Sequence, residues 1–92
     1  MTIKSIGTEN QPIIDAITKA RKVAVQLCHE GFHLLDIKIG ARNPVIYISP
    51  NYKCKKLNGA SIKRRQGAAT TLITMAASIE GVQIEWTIPH HG

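Results

Sequence analysis

Apolar residues recur at spacings of three and four from Ile13 through Ile17, Ala20, Ala24 and Leu27, with Ala16, Val23 and Cys28 widening the stripe. Asp15, Thr18, Lys19, Lys22, Gln26, His29 and Glu30 fall on the opposite side, so the pattern predicts an amphipathic helix over residues 11–30. Asn10 offers a cap, Pro12 sits where a missing N–H costs nothing, and Gly31 supplies a left-handed stop. The period then drops to two. Leu35, Ile37 and Ile39 alternate with Asp36 and Lys38, and Val45 to Ile48 form a second β-branched and aromatic run after a short link. These two runs predict a hairpin.

After Pro50 the pattern weakens. Residues 51–57 allow one or two helical turns, and Asn58-Gly59 marks a turn. Ile62 is the only large apolar residue between Asn58 and Gly67, which predicts a surface loop there. Val82, Ile84, Trp86 and Ile88 alternate strictly with polar residues and read as a strand; residues 69–77 read as its hairpin neighbour, with a second helix as the alternative. The expected fold is α+β, one long N-terminal helix packed on a four-stranded antiparallel sheet in the order α-β-β-short helix or loop-β-β. Residues 1–92 are expected to form a single domain, with 1–9 a flexible N-terminus and 89–92 a flexible tail. One helix covers only one face of such a sheet. Leu34 is expected to face away from Leu35 and Ile37, and Val45 away from Ile46, so the uncovered face calls for a twin subunit or another partner.

Charge adds a direction to this scaffold. The net charge is +6, yet residues 37–79 hold eight cations and no acid, while the four remaining cations stand against all six acids. The excess concentrates between Lys53 and Arg65, a field suited to polyanions or acidic protein surfaces and equally to a solvated loop that maintains solubility. At 43% hydrophobic and 4% aromatic residues the chain is globular but poor in stacking side chains. No apolar run approaches a signal peptide or a membrane span, so a cytoplasmic protein is expected.

Chemistry is sparse. His29 and His33 have the i,i+4 spacing of paired ligands, but Gly31 between them ends the helix, and no metal or other cofactor is expected. Cys28 reads as a small buried hydrophobe on the helix stripe. Cys54 stands among Lys53, Lys55 and Lys56, a setting that suits a reactive thiol, although no histidine accompanies it and an ordinary exposed thiol is the simpler reading. No two acids are paired, and the Gly59–Lys63 stretch lacks the second glycine of a phosphate loop. The sequence therefore predicts no enzyme. Recognition is what remains: Arg42, Lys53, Lys55, Lys56, Lys63, Arg64 and Arg65 as contacts to phosphates or acidic side chains, with Tyr52 as a stacking residue. Tyr47 and Trp86 are further candidate anchors. No base-reading motif accompanies them.

Residues 44–50 (PVIYISP) and 80–86 (EGVQIEW) are similar to segments of small accessory proteins carried by phages and prophages. That resemblance implies a role in binding host or phage machinery, including inhibition of a defence system or regulation of a polymerase or nuclease. The expected function is non-enzymatic docking on a macromolecule through the basic loop and an apolar sheet surface. A nucleic-acid module without sequence preference is the alternative, and a protein partner or homodimer is the expected association.

Overall fold

The structure, a computed structural model, describes residues 9–40 and 42–90. The expected flexible N-terminus lies outside these residues except for Glu9, which is in a turn. Helix α1 spans Gln11–His29 and opens on Pro12, with the Asn10 carbonyl accepting from the Ile13 and Ile14 N–H groups at 3.1 and 3.2 Å. It closes with two reversed hydrogen bonds, Gly31 N–H to Cys28 O at 3.1 Å and Phe32 N–H to Leu27 O at 3.0 Å. Gly31 adopts φ +91°, and Phe32 and Leu27 are both buried, the apolar clasp that accompanies this type of stop.

The strands are β1 (Leu34–Lys38), β2 (Val45–Ile48), β3 (Ala60–Gln66), β4 (Thr71–Ile79) and β5 (Val82–His90), with a 3-10 helix at Tyr52–Leu57 between β2 and β3. They form one five-stranded sheet in the order β1-β2-β5-β4-β3. The α+β class and both expected hairpins are present, but the sheet has a fifth strand and is mixed rather than antiparallel. β2 runs parallel to β5, with Ile46 opposite Ile84. β3, expected as a loop, pairs antiparallel with β4. Every residue of β3 is exposed, so it carries no alternation of buried and exposed positions. The β4–β5 hairpin turns on Glu80 and Gly81 at φ 48° and 81°, the two positive angles that a tight two-residue turn requires. Pro89 and His90, expected in a tail, continue β5 opposite Leu72 and Thr71. Proline is accommodated there because β2 pairs only with residues 83–85, leaving that side of β5 free.

The core lies between α1 and the sheet. Val23, Leu27, Ile46, Ile48, Val82 and Ile84 are essentially inaccessible, and Phe32, Cys54 and Trp86 extend this cluster beneath the 3-10 helix. Ala16, Ala20 and Ala24 are the other buried residues of α1, and their small side chains let the helix lie close to the strands. The buried stripe is narrower than expected. Ile13, Ile17 and Cys28 are exposed, and Ile17 and Cys28 line an open groove between α1 and β1 instead of packing closely on the strand. A bulge in β1 between Leu34 and Asp36 places Leu34 opposite Ile48 and Ile37 opposite Ile46, so Leu34 and Ile37 share the helix-side face instead of opposing one another. Opposite α1 the sheet presents Asp36, Lys38, Gln83, Glu85, Thr74 and Thr87 around Val45 and Tyr47. Leu72, Ala76 and Pro89 lie on the same face, which is therefore a mixed polar and apolar surface.

Candidate cationic docking surface

The basic segment folds into two adjoining pieces. In the first, the Asn51 side chain accepts the Lys53 N–H at 2.7 Å and starts the 3-10 helix, while Asn58 at φ 53° ends it. Cys54 faces inward and is buried against the core, so it is not the exposed thiol expected from its lysine neighbours. Lys55 and Lys56 point outward. Lys53 does not: it is half-buried, and its Nζ donates to the Glu30 carbonyl at 3.1 Å, clamping the end of α1. Tyr52 is 78% exposed, with the Lys53 Nζ 5.9 Å from its ring centroid.

Gly59 then carries the chain against the Trp86 ring and into β3. A second bulge, between Ser61 and Lys63, sets the display of the remaining cations: Lys63 lies opposite Thr74, Arg64 opposite Ile73 and Arg65 opposite Leu72. Arg64 therefore shares the helix-side face with Ile73, Met75 and Trp86, and Lys63 and Arg65 occupy the other face. This edge strand is cationic on both sides. It also adjoins an open apolar groove of about 490 Å³ between the 3-10 helix and the sheet, lined by Lys55, Met75, Trp86 and Ile88 among others. Trp86 is core, contributing to the groove floor while remaining 5% exposed, and Tyr47 is half-buried on the opposite face.

Lys55 is thus set beside the groove that adjoins Lys63, Arg64 and Arg65, whereas Lys56 faces Glu30, Ser78 and Ile79 at the other end of β4 and Arg42 lies apart from both. Arg42 precedes Pro44, whose carbonyl accepts from Gln83 N–H at 2.9 Å, whereas Arg65 lies in the row of Leu72 and Pro89. The two rows are roughly 20 Å apart along the strands, with two further strands between β2 and β3. Among the described residues the one ion pair is Lys22–Glu80 at 3.7 Å, so no cation between residues 37 and 79 is neutralised by an acid.

Among the described residues no three histidines, cysteines or acids gather as a metal site would need, and no helix is long and apolar enough to cross a membrane. His29 ends α1 and His33 lies beyond the Gly31 turn, both exposed. What sequence reading missed is the groove. Its Met75, Trp86 and Ile88 carried an apolar signal, but the crossover that sets Lys55 and Arg64 beside them left none.

None of the curated proteins and none of the solved structures searched matches this chain. The model of the Kil protein family matches residues 6–87, a span that includes α1, all of β1 to β4, the 3-10 helix and most of β5. The expected kinship with small phage accessory proteins is met by that match, and the chain belongs to the Kil protein family, whose members are phage-encoded.

Proposed function

We propose that this chain is a non-enzymatic binding protein that docks on an acidic protein of the phage or its bacterial host, in the cytoplasm, and inhibits or regulates it, with host defence proteins among the targets that fit. The carrying observation is the adjacency of an unneutralised cationic edge, Lys63-Arg64-Arg65 with Lys55, to the apolar groove over Met75, Trp86 and Ile88. Charge of one sign on an exposed strand raises the rate of encounter and orients it, while apolar contact in a groove sets residence time. Arg64 works at the junction of the two, on the same face as the groove floor.

Nucleic acid is the second reading, supported by the three successive cations of β3 and by the exposed ring of Tyr52. The groove favours the first, since a phosphate backbone offers little to fill it. Affinity capture from a bacterial lysate, with and without nuclease, separates the two. A nuclease-resistant protein that elutes as salt is raised supports the first reading; recovery of nuclease-sensitive material alone refutes it. Binding of duplex or single strands with a steep negative log–log salt slope would then establish the second.

A further inference from the structure

A different part of the molecule carries a second association. Between α1 and β1 runs an open apolar groove of about 400 Å³ lined by Ile17, Ala20, Ala24, Val25, Leu34 and Ile37. Beside it Leu35 is 60% exposed at the β1 bulge, and Ile17 and Ile37 are also exposed. β1 is an outermost strand of the sheet. The Ile37 N–H on this strand faces the open edge and is capped by the Asp36 carboxylate at 2.8 Å, a bond that pairing with another strand replaces. From the charge pattern of this edge we infer that the groove is covered by a second copy of this chain, β1 pairing antiparallel with β1 about a two-fold axis through Ile37.

The charge pattern selects both the occupant and the register. Asp36 and Lys38 lie two apart on the face opposite α1, in line with Tyr47 and Val45. A two-fold perpendicular to the sheet and centred on Ile37 sets Asp36 of each copy opposite Lys38 of the other, twice. It also sets Ile37 against its own symmetry mate and Leu35 against Ile39. Centring on Asp36 or on Lys38 sets like charges opposite each other, and centring on Leu35 leaves Lys38 beyond the end of the pair. Both helices then lie on one face of a continuous sheet, and the two grooves, each flanked by Ile17 and Ile37, meet along the axis. The other outer strand is the poorer candidate, because a two-fold centred on Lys63, Arg64 or Arg65 sets cations opposite cations and one centred on Ile62 gives them no acid to pair with. The inference does not rest on the docking surface, which occupies the opposite edge.

Sedimentation velocity on the full chain from about 5 to 500 μM tests it through a charge swap. The unaltered chain is expected to show a concentration-dependent dimer. Asp36→Lys or Lys38→Asp alone, each placing like charges opposite one another twice, is expected to weaken dimerisation at least about tenfold, and the double exchange to restore it to within about threefold. Restoration discriminates, because the double variant lacks the Asp36–Ile37 hydrogen bond just as Asp36→Lys does. Circular dichroism melts of all four proteins exclude unfolding as the cause, and Lys38→Asp gives an independent reading should Asp36→Lys not fold. A monomer throughout the concentration range, single variants that dimerise as the unaltered chain does, or a double variant that stays weakened would overturn the proposal.

Discussion

Replacing Gly59 by alanine tests whether the link from the 3-10 helix to β3 is as tight as its geometry implies. An added Cβ would overlap Cη2 of Trp86, stand 2.9 Å from its Cζ2 and 3.1 Å from the Ala76 carbonyl oxygen. Neither neighbour can give way cheaply. The indole is packed in the core and 5% exposed, and Ala76 is held within β4 between β3 and β5. Overpacking of this kind costs about 1–3 kcal/mol, whereas losing glycine's conformational freedom in the unfolded chain returns about 0.4–1 kcal/mol. The net is a destabilisation of about 1–2 kcal/mol, or roughly a 5–15 °C fall in Tm for a domain of this size. Thermal and urea melts measure it. Trp86 is the only tryptophan, so its emission reports the same site. In a Trp86→Phe background the offending ring atoms are gone, and the added methyl should cost about 1 kcal/mol less. A Gly59→Ala protein as stable as the parent, or more stable, would refute the reasoning.

Three smaller predictions address other joints. Glu80→Asn should raise stability by about 0.5–1 kcal/mol, since Glu80 sits at φ 48° where asparagine is more at ease; the exposed 3.7 Å pair with Lys22 contributes little against it, and an unchanged or lower Tm would contradict this. Asn51→Ala removes the cap of the 3-10 helix and should cost about 0.5–2 kcal/mol, with faster hydrogen exchange at the Lys53 amide; unaltered exchange there would deny the cap a role. Ile84→Ala empties a fully buried position at the middle of the sheet and should cost about 2–5 kcal/mol in urea denaturation. A loss below 1 kcal/mol at this site would place the core elsewhere.

Periodicity found what is buried on one side. It located α1, β2 and β5, which alternate between core and solvent; β1 was read from its alternating residue types although only Leu34 is partly buried, and β4 from its place beside β5 rather than from a period of its own. It could not find β3, because ASIKRRQ is exposed along its whole length and leaves no period to detect. Nor could it show that β2 runs parallel to β5: Val45–Ile48 and Val82–His90 meet across a long separation, and pairing direction leaves no trace in either run. The helix stripe was read too wide for a related reason. Ile13, Ile17 and Cys28 follow the helical period, yet whether they are covered depends on how closely α1 packs on the sheet.

The cationic surface was legible in part. Eight cations without an acid marked residues 37–79, and the fold gathers Lys55 with those of β3. Two departures have physical causes. Arg42 is carried to the opposite end by the direction of β2, and Lys53 is turned onto the Glu30 carbonyl at the end of α1. The groove beside Arg64 depends on the crossover from β2 to β3, which buries Cys54 and leaves Met75 and Ile88 at an open edge.

The most direct test of the docking account compares partner capture from a nuclease-treated lysate by three proteins of matched thermal stability: the unaltered chain, Lys63→Gln/Arg64→Gln/Arg65→Gln, and Arg42→Gln. The account predicts that the triple variant loses capture by about tenfold or more at low salt, while Arg42→Gln binds as the unaltered chain does. Equal capture by all three, or a loss on changing Arg42 as large as that on neutralising β3, would contradict it.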